Sequence, residues 1–96
     1  MFKETLLKAK KNNIHAWRLL VATEVDEYFK NNEIEISESE FEEICFFVYD
    51  WVMSTEATPY EIIERLVKIV QRSDYYKFYN LEYYYEDITK EINEMF

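Results

Sequence analysis

The stretch TPYEIIERLVKIVQR, residues 58–72, carries the clearest local signal in the chain. Thr58 suits an N-cap, and Pro59 suits the first helical position, where a missing N–H costs nothing. Glu61 can reach back to the cap. Behind them Ile62, Ile63, Leu66, Ile69 and Val70 recur at three- and four-residue steps, so the pattern predicts a one-face-buried helix ending near Arg72.

Helical spacing continues on both sides of this stretch. Ser37 with Glu40, and Ser39 with Glu42, form two overlapping capping boxes. They open a helix reaching about Met53, with Phe41, Ile44, Cys45, Val48, Trp51 and Val52 as its core face. Before it, Glu33–Ser37 alternates Ile34 and Ile36 with acids, which suits a short extended piece. A further helix runs from about Ile14 to Lys30, with Ile14, Trp17, Leu20, Val21, Val25 and Tyr28 on one face. Asn31 and Asn32 end it, standing in for a glycine. Residues 3–11 read as a short basic helix with Leu6, Leu7 and Ala9 inward, set off by Asn12 and Asn13.

On the C-terminal side, Ser73 can cap a last helix from Asp74 to Met95, with a candidate break at Asn80. Its apolar stripe is Leu81, Tyr84, Tyr85, Ile88, Ile92 and Met95. The tyrosine cluster has a strand as its alternative, because tyrosine favours sheets. The helical reading ranks first, since the spacing passes residue 80 without a shift. The expectation is therefore an all-α fold. It is a compact bundle of four to five helices in one domain over residues 1–96, with an optional short strand near 33–37.

Composition supports this and narrows the function. The chain has 96 residues, 49% of them hydrophobic and 19% aromatic, enough for one core rather than a disordered chain. Glycine is absent, and Pro59 is the only proline. Phosphate-cradling loops, dinucleotide fingerprints and nucleophile elbows need glycine at set positions, so those chemistries are excluded. No apolar run approaches the ~20 residues of a membrane span. The N-terminus lacks the pattern of a secretory signal. Cys45 stands alone, which fits a reducing cytoplasm.

The net charge of −9 is unevenly distributed. Residues 1–23 hold five bases against Glu4 alone, whereas residues 24–64 hold thirteen acids against Lys30 alone. Such a field repels nucleic acid from the middle of the chain and steers basic partners towards it. Solubility alone is the competing explanation of the acidity.

Candidate chemistry is sparse. His15 is the only histidine and has no second His or Cys at ligand spacing, so it reads as a surface or boundary residue. Cys45 reads as a small hydrophobe among acids, a setting unlike that of a reactive thiol. Carboxylate pairs such as Glu40 with Glu43 are too common to identify a metal or acid–base site. Glu24 differs, because it falls inside the apolar stripe of its helix. It is expected to be substantially buried, with Arg65 or Arg72 as its partner. No catalytic, cofactor or metal residue is assigned, and the chain reads as a non-enzyme.

Two second stripes carry the functional reading. Opposite the core of the helix reaching Met53 lie Phe46, Tyr49 and Met53, interleaved with Glu42, Glu43 and Asp50. Either this helix is central and packed on both sides, or its outer face is an aromatic-acidic contact surface. On a continuous last helix, Tyr76, Tyr79 and Tyr83 line up, and Glu86, Asp87 and Lys90 extend that face. Tyrosine offers large contact area at little rotamer entropy, as binding surfaces require. Stacking of single-stranded nucleic acid needs a basic groove, and the bases lie elsewhere.

Ile36-Ser37-Glu38-Ser39-Glu40 resembles a segment of an anti-CRISPR inhibitor, and the acidic, glycine-free character resembles phage and mobile-element inhibitors generally. Tyr75-Tyr76 is similar to the paired tyrosines of acidic helical immunity proteins of nuclease bacteriocins, whose glycine- and proline-containing motif is missing here. These resemblances imply an inhibitor whose carboxylates and tyrosines occupy a basic nucleic-acid channel of a nuclease or CRISPR effector. The expected partner is thus a basic protein, with no direct nucleic acid and no membrane. The protein itself is expected to be cytoplasmic, as a monomer or a salt-sensitive homodimer. The alternative is a homo-oligomeric regulatory or structural module that pairs its basic first helix with the acidic middle segment.

Overall fold

The computed structural model describes residues 14–94. Within them lie four helices: α1 (Ile14–Asn31), α2 (Glu38–Ser54), α3 (Pro59–Arg72) and α4 (Tyr85–Glu94). The described residues contain no strand. The basic helix expected over residues 3–11 lies outside them.

α3 is the central element. Thr58 Oγ1 accepts from the Glu61 N–H at 3.3 Å and donates to the Glu61 carboxylate at 3.1 Å, and Pro59 occupies the first turn. These contacts set the helix phase so that Ile62, Ile63, Leu66, Val67, Ile69 and Val70 are all buried. α3 packs against α1, α2 and α4. The helix that packs against all the others is thus α3 and not α2, and α2 keeps an outer face.

α2 begins where the first capping box places it. The Glu40 N–H donates to Ser37 Oγ at 3.1 Å, and the Ser37 N–H donates to Glu40 Oε1 at 3.0 Å. The second expected box, Ser39 with Glu42, does not form, because Ser39 already lies inside the helix. Ile44, Phe47, Val48, Trp51 and Val52 face the core, while Phe41 and Cys45 are half-buried at its margin. In α1 the buried residues are Trp17, Val21, Val25 and Phe29, with Leu20 and Tyr28 packed beside them.

The end of α1 departs from expectation in a specific way. The left-handed residue is Glu33, at φ 55°, and neither asparagine takes that role. The Glu33 N–H donates to the Lys30 carbonyl at 3.2 Å and the Ile34 N–H to the Phe29 carbonyl at 2.9 Å. This is the Schellman arrangement, with Ile34 placed to meet Phe29. After it, residues 34–37 form a connector that pairs with no second extended segment, so the optional strand does not form.

The long last helix is also corrected. Ser73 ends α3, with its N–H donating to the Val70 carbonyl at 3.3 Å. Its hydroxyl then accepts the Tyr75 and Tyr76 N–H groups, each at 3.0 Å. Asn80 Oδ1 accepts from the Lys77 N–H at 2.6 Å, and Asn80 Nδ2 donates to the Tyr75 carbonyl at 2.9 Å. Short polar side chains here satisfy the backbone locally, in competition with a helix. Residues 74–84 consequently form consecutive turns, and the helix starts only at Tyr85. Leu81, fully buried, and Phe78, against Phe29 at 5.2 Å between ring centroids, tie these turns to the core.

α4 is held by Trp51, which is fully buried. Its ring stacks on Tyr85 at 5.8 Å and 9°, and its indole N–H donates to Thr89 Oγ1 at 2.8 Å. Trp17 is equally buried, but its indole N–H has no acceptor among the described residues.

Two stability differences should result. Replacing a left-handed glutamate with glycine relieves backbone strain of about 1–2 kcal/mol, partly offset by glycine's greater unfolded entropy. Glu33→Gly should therefore raise unfolding stability by about 0.5–1 kcal/mol in urea titration; a loss of stability would contradict the assigned backbone. Trp17→Phe removes an unpaired donor, whereas Trp51→Phe also breaks the bond to Thr89. Trp51→Phe should cost about 1–2 kcal/mol more than Trp17→Phe, and equal losses would count against the indole assignments.

Candidate interaction surface

The capping of α2 at Ser37 fixes which side chains face away from α3. Phe46 is 69% exposed and Met53 36% exposed, while Glu42 and Asp50 are also exposed. Tyr49 is half-buried, and the Arg18 guanidinium of α1 lies over its ring at 5.0 Å. Arg18, Glu42, Cys45, Phe46, Tyr49 and Asp50 line a depression of about 440 Å³ between α1 and α2. A cation on an aromatic face beside carboxylates is a favourable arrangement, and here the chain supplies the cation itself.

The tyrosine turn meets the other flank of α2. Glu43, half-buried, accepts from the Glu82 N–H at 3.3 Å. Glu43, Tyr79, Asn80, Glu82 and Tyr83 line a shallow depression of about 480 Å³. Tyr79 is 70% exposed and Tyr83 is 83% exposed, so both rings are available to a partner. Tyr76 is not, because it is half-buried against Tyr84 at 5.0 Å. The expected single stripe of Tyr76, Tyr79 and Tyr83 therefore does not exist: these residues lie on turns, and only two share a surface.

Glu86 and Asp87 are exposed in the first turn of α4, where negative charge complements the helix dipole. Neither lines the depressions beside α2. Two surface features escaped the sequence reading. Arg18 lies beside the buried Trp17 on α1, a register that gives no hint of its stacking partner. Tyr75 is 72% exposed, where a helical reading gave it no role.

Tyr85 connects the outer face to the core. Its hydroxyl donates to the Asp50 carboxylate while its ring covers Trp51. Burial, followed by the hydrogen bond and charge of Asp50, raises its hydroxyl above the ordinary phenol range. Burial also pushes the Cys45 thiol up to about 11, with the charges of Asp26 and Glu42 adding to the effect.

Other candidate groups have simpler settings. Glu24 is half-buried at a small depression shared with Tyr28 and Tyr60, and its carboxyl is raised by burial and then by Glu27. Arg72, one of its two expected partners, instead donates to Glu91 at 2.8 Å. His15 is exposed, and no three His, Cys, Asp or Glu side chains gather as metal ligands among the described residues. No described helix is long and apolar enough to cross a membrane. Comparison with protein-family models, curated protein sequences and solved structures gave no match.

The state of Cys45 offers a direct check on the wall of the first depression. At pH 8 a thiol raised to about 11 exposes little thiolate, an effect only partly offset by its greater nucleophilicity. Alkylation by iodoacetamide should be at least ~10-fold slower in the native protein than in urea, and should accelerate steadily up to pH 10. Equal rates in the two states would place Cys45 in open solvent.

Proposed function

We propose that this protein is a non-enzymatic, cytoplasmic binding module that occludes a basic, nucleic-acid-binding surface of a partner protein. This is the mode of an anti-CRISPR or nuclease-immunity inhibitor. The observation that supports it best is the outer face of α2, where Phe46 stands exposed between Glu42 and Asp50 with Arg18 laid over Tyr49. An exposed aromatic ringed by carboxylates suits an arginine- or lysine-rich surface. The ring supplies area, and the carboxylates supply orientation and steering. Tyr79 and Tyr83 widen the face on the far side of Glu43. The excess of acid over residues 24–64 gives the long-range attraction.

Charge separation within one chain favours a second reading. The five bases of residues 1–23 complement the acidic middle segment, so a second copy could supply the basic surface. Sedimentation at low and high salt separates the two: a dimer lost at high salt belongs to the second reading and a monomer throughout to the first.

The partner is to be captured from the native host and its nucleic-acid binding measured with and without this protein. Phe46→Ala and Tyr83→Ala should each weaken the complex by about 2 kcal/mol, mainly through faster dissociation. Glu42→Lys should instead slow association and flatten its salt dependence. A complex in which the partner still binds nucleic acid at full affinity would refute occlusion.

A further inference from the structure

A further depression lies away from the face assigned above, between the C-terminal end of α1 and the start of α2. It measures about 650 Å³, and Phe29, Ile34, Ile36 and Phe41 give it an apolar lining. Asp26, Glu33, Glu35 and Glu38 stand around it. Lys30 is the only base there, and its ammonium is held by Asp26 at 3.0 Å.

The segment crossing this groove has the character of a strand without a neighbour. Exposure alternates residue by residue from Glu33 to Ser37, with Ile34 and Ile36 packed on the core and the intervening residues outside. The Ile34 N–H is used by the Phe29 carbonyl, and the Ser37 N–H by Glu40. Between them, the backbone N–H and C=O groups of Glu35 and Ile36 have no protein partner among the described residues. A free extended edge beside an apolar groove is the template on which a peptide adds as a strand, with backbone bonds giving affinity and alternate side chains giving specificity. The chain also keeps a strained, left-handed carboxylate, Glu33, at the rim of this groove. Backbone strain of this kind gathers at binding sites.

We propose that this groove receives an extended cationic segment of the partner protein. The segment pairs its backbone with Glu35, whose N–H and C=O face the edge away from α1, seats an apolar side chain against Phe41, and lays its bases against Glu33, Glu35 and Glu38. This assignment rests on the reading of a basic partner given above and adds a second point of attachment. Charge selects the occupant: the four acids repel phosphate backbones and acidic peptides, and Glu33, Glu35 and Glu38 have no ion-pair partner among the described residues.

The test is an amide-resolved NMR titration of the whole protein at low salt with the acetylated, amidated peptide KVKVKVK. A control peptide carries the same side chains with every backbone amide N-methylated. The largest shifts should fall on residues 33–37, and N-methylation should weaken binding about ten-fold or more by removing the backbone bonds. Glu33→Gly and Glu35→Gln should each weaken binding about three-fold. The first does so while making the protein more stable, which separates lost recognition from lost structure. Equal binding of the N-methylated peptide would overturn the proposal, as would shifts at residues 33–37 that follow protein concentration without peptide, since the occupant would then be a second copy. Shifts confined to Glu42–Met53, Tyr79 and Tyr83 would overturn it while leaving the proposed function standing. An absence of shifts on every surface would remove both.

Discussion

The packing of Trp51 on Tyr85 and Thr89 is the contact that joins α2 to α4. α4 has ten residues, too few to hold a helix in water without tertiary support. Trp51 supplies that support through the stacked ring of Tyr85 and the bond from its indole N–H to Thr89. Large aromatic contacts of this kind combine extensive burial with a defined orientation. Tyr85 then reaches past the core to Asp50 on the outer face of α2. The tyrosine turn runs from the end of α3 to this anchored helix, and Leu81 and Phe78 fix it to the core, so Tyr79 and Tyr83 stand beside Glu43 without themselves being buried.

How far the fold could be read in advance depended on what each signal encodes. Capping chemistry is local, so Ser37 with Glu40 and Thr58 with Pro59 located the starts of α2 and α3 directly. Stripe reading was nearly as good, but it missed Phe29, Phe47 and Val67, all buried. Neighbours on a helix are separated by only about 100°, and Phe46-Phe47 could present either ring to the core. The choice followed from α3 lying on one side only. The last helix failed for another reason. Six tyrosines within residues 75–85 satisfy almost any period, so spacing there carried little information. The decisive residues were Ser73 and Asn80, whose short side chains capture the backbone of the intervening turns.

The candidate surface was legible in composition more than in geometry. Glu42, Phe46, Tyr49 and Asp50 do share a depression, because the phase of α2 was read correctly. Tyr76 left the surface because its alignment with Tyr79 and Tyr83 presumed a helix that does not exist. Arg18 could not be placed by any reading of α1 alone, since its stacking on Tyr49 is a contact between helices. Glu24 shows the limit of a wheel in the other direction. Its position inside the stripe of α1 led to an expectation of substantial burial, whereas Glu24 is only half-buried, and the commitment of Arg72 to Glu91 is set by the approach of α4.

A chain without glycine must turn using other residues, and this one turns mostly by avoiding the need. Its connections after α2 and α3 leave the helix through extended caps at Thr55 and Ser73. Among the described residues only the exit from α1 requires a left-handed residue, and Glu33 takes it. Asn32, a better-tolerated choice, stands one position earlier, where it donates its side-chain amide to the Tyr28 carbonyl at 2.8 Å. The two local costs in the described structure thus differ in kind. The unpaired indole of Trp17 lies deep in the core, where the volume of the ring compensates for it. The strain at Glu33 lies at an exposed groove, where nothing in the packing demands a long carboxylate. Stability alone would place glycine or asparagine there, so the acid is better explained by what it faces than by what it supports.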